Sequence, residues 1–254
     1  MMINIFKCVL IMLLLVAFVG CRGVVRYKDV DSEISIQILE KLPSRNLLLH
    51  FSTAKIYGVC DNVIDLSWHH TPSGIDILFK GVIECGMLTA IGPATATINL
   101  GELNPGAYPL VLRNGEEKFT GELLVFSDKY SISLGSFTAF NVINSPLNRI
   151  PDSTIWGIVG YHNEETAPLV KSFFSELMEL GATKKSFNPG NYNRFEIDEN
   201  GNIINYNAGY HFNQAFIFYY AEDSSELDSF LKQWLNLYGE LMRARIYTDK
   251  GEMF

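Results

Sequence analysis

The period of the apolar pattern changes near the middle of this chain, and that change limits what it can fold into. From Ile34 to Leu134 apolar residues recur at every second position in short runs, and no amphipathic helix of ten or more residues appears. Ile34-Ser-Ile-Gln-Ile38 places three isoleucines on one face of a strand. Val63–Trp68, Ile75–Glu84 and Ala94–Leu100 follow, separated by the breakers Thr71-Pro-Ser-Gly74 and Gly92-Pro93. Tyr108–Leu112 and Phe119–Phe126 flank Asn114-Gly115, a dipeptide suited to the positive φ of a tight hairpin connection. Roughly seven to nine strands in about 100 residues predict an all-β sandwich over 34–134.

Within that stretch, Leu103-Asn-Pro-Gly-Ala-Tyr108 resembles the L-x-P-G-x-Y corner of fibronectin type III and related immunoglobulin-like domains. The resemblance covers these residues alone. It implies an immunoglobulin-like fold in which the Tyr108 hydroxyl bonds back to the preceding turn, with Trp68 available as a core tryptophan. Residues 135–152 then carry two prolines and several asparagines, the composition of a connector. Their apolar members, Phe137, Phe140, Val142, Ile143 and Leu147, predict a linker that packs instead of swinging free.

After Ser153 helical spacing alternates with strands. Thr154–Tyr161 is a compact apolar strand, and Leu169, Val170, Phe173, Phe174, Leu177 and Leu180 form one helical stripe. Thr166 stands as its N-cap, Pro168 in its first turn and Gly181 as its stop. Asn193–Asp198 and Ile203–Tyr206 flank Asn200-Gly201, and Gln214–Ala221 is a further strand. Asp223-Ser-Ser-Glu226 has the capping-box pattern before the stripe Leu227, Phe230, Leu231, Trp234, Leu235, Tyr238 and Leu241, and Arg243–Phe254 reads as a last strand. The order β-α-β-β-α-β predicts a ferredoxin-like α+β domain over 153–254, both helices on one face of a four-stranded sheet.

Trp156, Phe216, Phe218 and Tyr220 share one parity of their strands, and Ile155, Val159, Ile217 and Tyr219 the other. Both faces of that sheet are therefore apolar while helices cover one. The second face is expected to meet the sandwich, a second protomer or a ligand. Tyr192, Tyr206 and Tyr210, set among asparagines, extend this candidate ligand or interface surface. Plain hairpin loops have the same composition.

The N-terminus adds an address. Lys7 precedes an uncharged apolar run, Cys8–Gly20, that suits a signal-peptide core and is short for a transmembrane helix. Phe18-Val19-Gly20-Cys21 resembles the lipobox of bacterial lipoproteins. The resemblance implies cleavage after residue 20, lipidation of Cys21, a tether over 21–33 and anchoring in the bacterial cell envelope. With Arg22, not aspartate, after the cysteine, it implies outer-membrane sorting, the periplasmic or surface face being left open. Cys60 and Cys85 then remain as a candidate disulfide in an oxidising compartment, with two buried thiols as the alternative.

The chain of 254 residues carries a formal charge of −8, and loss of Lys7 with the leader brings the mature chain to −9. That acidity, with no basic RNP sequence, excludes nucleic acid as a partner. No nucleophile elbow, Walker loop, HExxH or dinucleotide fingerprint occurs, so no catalytic residue, cofactor or metal is assigned. Asp198-Glu-Asn-Gly-Asn202 reads as a hairpin turn and not a calcium loop. His162 and His211, beside Glu164 and Glu165, stand at strand ends where solvated loop histidines are usual. The expected function is a non-enzymatic binding or structural module meeting an envelope protein or glycan. The alternative is an exported hydrolase or carbohydrate-active enzyme using carboxylates such as Glu164, Glu165 or Asp198 as acid and base.

Overall fold

Strict alternation at the start of the chain builds a strand with one buried face. In β1 (Ile34–Lys41) every second side chain from Ile34 is buried, and β2 (Asn46–Tyr57) repeats the pattern. The structure, a computed structural model, describes residues 30–57, 62–83, 91–135, 139–204 and 212–254. After β2 come β3 (Val63–Thr71), β4 (Gly74–Ile83), β5 (Gly92–Gly101), β6 (Gly106–Asn114), β7 (Glu117–Val125) and β8 (Lys129–Leu134). The hairpin at Asn114-Gly115 is the β6–β7 connection: Asn114 pairs with Glu117, and Gly115 takes φ 59. The Tyr108 hydroxyl donates to the Asn104 carbonyl at 2.9 Å, so the corner hydrogen bond forms.

These strands do not separate into the two sheets of an immunoglobulin-like sandwich. They lie in one hydrogen-bonded order, β8-β7-β6-β4-β3-β5-β2-β1, in which β4 runs parallel to β6 and β3 touches β5 in parallel. The sheet instead curls over its own core. Phe51 of β2 meets Phe79 of β4 edge-on at 5.2 Å, although β5 and β3 lie between those strands in the sheet. Bends accompany two register shifts, one at Ser52/Ile56 with extra residues in β2 and one opposite Asp65/Leu66 where Lys80 is the extra residue in β4; such bulges kink a strand and increase its twist. Thr53 repairs the first of them: its hydroxyl oxygen accepts from Ala94 N–H at 2.9 Å.

Residues 139–150 run along this sheet. β9 (Phe140–Val142) pairs in parallel with β1, and Phe140 meets Phe119 of β7 at 5.1 Å across the core. The Asn144 side chain imitates a further pair, donating to Ile38 O at 2.7 Å and accepting from Ile38 N–H at 2.8 Å. β10 (Leu147–Asn148) then joins β8.

The ferredoxin-like expectation is also corrected. β11 (Thr154–Tyr161), β15 (Phe212–Tyr219) and β16 (Met242–Thr248) form a three-stranded antiparallel sheet in the order β15-β11-β16. The segments expected as its inner hairpin shrink to β13 (Glu196–Ile197) and β14 (Ile203–Ile204), which reach the large sheet through β12 (Gly190–Asn191) and β10. That large sheet therefore counts thirteen strands among the described residues. The apolar side chains around β13 cover the second face of the small sheet, where Phe195 and Ile197 pack with Trp156. Burying that face drew them out of the small sheet's ladder.

Its first face takes the helices. Thr166 is the N-cap residue of α1 (Ala167–Glu179) but makes no side-chain cap bond; Asn163 caps the 3-10 turn ahead of it, accepting from Thr166 N–H at 3.1 Å. Asp223 caps α2 (Ser224–Tyr238) through Ser225 N–H at 2.9 Å, and that hydrogen bond holds its carboxyl below the ordinary carboxylate range. Trp234 of α2 donates to Glu176 of α1 at 2.9 Å.

Candidate functional site

β11 is central in the small sheet, and nearly every side chain along it is buried. Ile155 and Val159 join Phe216 and Phe218 under the helices, while Trp156 projects to the other face. Tyr247 of β16 lies opposite Trp156 in register, so their rings stack with centroids 5.8 Å apart and planes 15° apart. Phe195 continues the row at 5.6 Å from Trp156, and Tyr192 stacks on Phe195 at 5.2 Å. Each such pair adds about 0.5–1.5 kcal/mol beyond its buried area. The loop presenting them is fixed locally. Tyr192 donates its hydroxyl to Asn188 O at 2.9 Å, and Asn193, at φ 69, donates its N–H to the Asn191 side chain at 2.8 Å. Burial holds the Tyr192 phenol above its ordinary pKa.

The end of β1 closes against this row. Glu40 has the inward parity of Ile34, Ile36 and Ile38, and its side chain is 4% exposed. Oε1 accepts the Tyr130 hydroxyl at 2.8 Å and Arg149 Nε at 2.9 Å, and Oε2 accepts Arg45 Nη1 at 3.1 Å. Arg149 also lies 5.2 Å over the Tyr130 ring. Arg45 reaches onward to Ile150 O at 2.7 Å and Asp152 at 2.6 Å, tying the β1–β2 turn to the start of the small sheet. Burial works against the Arg45 charge, but Glu40 and then Asp152 outweigh it, so its pKa is raised. Burial first, and Glu40 next, push the Tyr130 phenol far above its ordinary value. This cluster ties the large sheet to residues 149–152, the segment that leads into β11.

Between the cluster and the aromatic row lies a cleft of about 450 Å³, whose lining includes Asn148, Trp156, Asn193, Arg194 and Tyr247. Gly251 in the lining takes φ 78, and a Cβ there would sit 3.0 Å from the Leu42 carbonyl oxygen. Glu252 in the lining accepts the Ser224 and Thr248 hydroxyls at 3.1 and 3.2 Å. A second hollow of about 410 Å³ exposes Arg45 and Arg149 together with Glu102, Asp128 and Asp152, so its cations are matched by acids.

The residues singled out from the sequence divide accordingly. Trp156 and Tyr192 meet at the cleft. Phe216, Phe218 and Tyr220 are buried in the core beneath the helices and form no surface, and Trp156 faces away from Phe216 and Phe218. The Tyr220 phenol is pushed up to about 12, by burial and then by Glu226, Glu222 and Asp223. Cys21, Cys60, Cys85, Tyr206, Tyr210 and His211 lie outside the described residues. His162 is hydrogen-bonded to Leu241 O at 2.8 Å, and Glu164 and Glu165 are exposed on the turn before α1. Asp198 accepts the Asn200 and Asn202 N–H groups within its own turn, at 2.9 and 2.7 Å. Among the described residues no group of three or more His, Cys, Asp or Glu side chains could hold a metal ion.

The sequence reading missed Glu40, Tyr130, Arg149 and Tyr247. Only Glu40 had left a trace, as an acid on the buried parity of β1. No protein-family model, curated protein or solved structure matches this chain.

Proposed function

We propose that the chain is an exported, lipid-anchored protein of the bacterial cell envelope that acts as a binding module, and that its partner is an envelope glycan held in the cleft. The cleft itself carries this reading. It sets the half-buried Tyr247 ring, backed by Trp156, beside the exposed Arg194 and the amides of Asn148 and Asn193, which are held in place by donating to the carbonyls of Pro189 at 3.1 Å and Glu40 at 3.4 Å. A flat apolar ring with fixed donors and acceptors around it suits a sugar, which has both apolar faces and a hydroxyl rim.

Hydrolysis fits this cleft less well. Glu40 gives both carboxylate oxygens to Arg45, Arg149 and Tyr130, and Glu252 is bound by two hydroxyls. Glu164, Glu165 and Asp198 are not in the lining. Titration with soluble envelope glycan fragments tests the choice. Saturable binding with the fragments recovered intact is expected, and shortened products would favour the enzyme.

The anchoring rests on the Gly20-Cys21 leader pattern, with further acyl chains needed for stable attachment. Cys21→Ala is expected to move the protein out of the membrane fraction. Undiminished membrane association of that variant would contradict the lipid anchor.

A further inference from the structure

Scattered exposed apolar side chains are ordinary on protein surfaces, but three here gather at one end of the curled sheet. Ile56 is 56% exposed, Val63 45% and Ile91 73%. They occupy neighbouring strands. Ile56 lies opposite Pro93 and Tyr57 opposite Gly92 across β2 and β5, which puts Ile91 one residue beyond that pair. Val63 lies opposite Thr95 across β3 and β5. With strands about 4.8 Å apart, the three side chains share a strip roughly 10–15 Å wide.

The N-terminal segment joins the sheet beside this strip. Ala54 N–H donates to Glu33 O at 2.8 Å, and Asp31 pairs with Lys55 at 2.9 Å. The Asn114 side chain clasps Val30 at both its N–H and its carbonyl, at 3.0 and 2.9 Å. Eight residues separate Val30 from Cys21, a reach of about 31 Å at full stretch. A lipid on Cys21 therefore keeps Val30, and the strip beside it, within about 31 Å of the bilayer. The Thr71-Pro-Ser-Gly74 turn stands about 26 Å farther along β3.

We infer that this strip rests on the bilayer that holds the anchor, with Ile56, Val63 and Ile91 entering the headgroup–acyl boundary. The inference depends on the lipid anchoring proposed above. Lys55 is paired with Asp31, and the tether balances Arg22, Arg26 and Lys28 against Asp29, Asp31 and Glu33, so no net basic charge calls for an anionic lipid and a zwitterionic surface is sufficient.

The test uses the full-length lipidated protein in phosphatidylethanolamine–phosphatidylcholine vesicles, with a benzoylphenylalanine cross-linker in place of Ile91 or, as the control, Ser73. Lipid adducts at position 91 should exceed those at 73 by at least about tenfold, because a residue about 26 Å from the surface meets no acyl chain. With the cross-linker at position 63 instead, adding Ile56→Asp and Ile91→Asp should lower the yield with the melting temperature unchanged. Equal yields at 91 and 73, in protein that still floats with the vesicles, overturn the docking alone. Protein left behind when the vesicles float overturns the anchoring, and the docking with it.

Discussion

Glu40→Ala is expected to lower the unfolding free energy by about 3–5 kcal/mol, the range for removing one member of a buried ion cluster. The substitution leaves Arg45 and Arg149, whose side chains are 15% and 19% exposed, facing each other without their shared acid, and deprives the Tyr130 hydroxyl of its acceptor. Glu40→Gln keeps the volume and one acceptor oxygen, so its loss is smaller. Replacing Glu40, Arg45 and Arg149 together by apolar residues of similar volume should recover much of the stability lost by Glu40→Ala, because no uncompensated charge then remains buried. Denaturant midpoints, read with a check that the slope is unchanged, measure all three. A change below about 1 kcal/mol for Glu40→Ala would show that the cluster does not hold residues 149–152 to the large sheet.

Gly157→Ala is expected to be comparably damaging for a steric reason. A Cβ at this position in β11 would overlap the Arg245 carbonyl oxygen of β16 and lie 2.8 Å from Cζ of Phe216. Arg245 lies beside Gly157 in the β11–β16 ladder, so relieving the overlap parts that ladder, and Phe216 is wedged between Phe173 and Phe174. The expected cost is about 3 kcal/mol, at the upper end for overpacking. Gly201→Ala is the useful comparison. It meets nothing within 4 Å and carries only the strain of φ 81, about 1 kcal/mol. Thermal melts should rank the two variants in that order, and a reversed order would mean that the small sheet yields at its centre.

The two positions also show what the sequence could and could not disclose. Local signals were legible. The isoleucines of β1 gave its buried face, Asn114-Gly115 its hairpin, and the stripes over 169–180 and 227–241 the two helices. The long-range pairing was not. Gly81, alone inside a strand and at φ 145, marks the β4 bulge, but nothing near Ser52–Ile56 marks the one in β2, and these bends let one sheet wrap its own core in place of two stacked sheets. The parallel alignment of β4 with β6 likewise has no local signature.

The inner hairpin expected near Asn200-Gly201 does form, through β13 and β14, but against a different sheet. Its apolar residues Phe195 and Ile197 pack with Trp156 instead of extending the small sheet. The aromatic sheet face noticed in the sequence thus found an intramolecular cover, and the cleft is what that cover leaves open. Half of the site was recognisable as aromatic residues. The charged half was hidden in an acid that obeyed a strand's parity, in Arg45 on the turn after it, and in Arg149, 109 residues away along the chain.

The central claim, that this cleft is a binding site, is tested most directly by calorimetric titration of the lipidated full-length protein with a panel of soluble envelope glycan fragments. The wild type should bind at least one fragment saturably. Arg194→Ala, at an exposed rim position whose loss disturbs no packing, should weaken that binding by about tenfold, the 1.4 kcal/mol of a modest hot spot, with an unchanged melting temperature. Tyr247→Leu should weaken it further. The claim is contradicted if no fragment binds, or if a fragment binds Arg194→Ala and Tyr247→Leu as tightly as it binds the wild type.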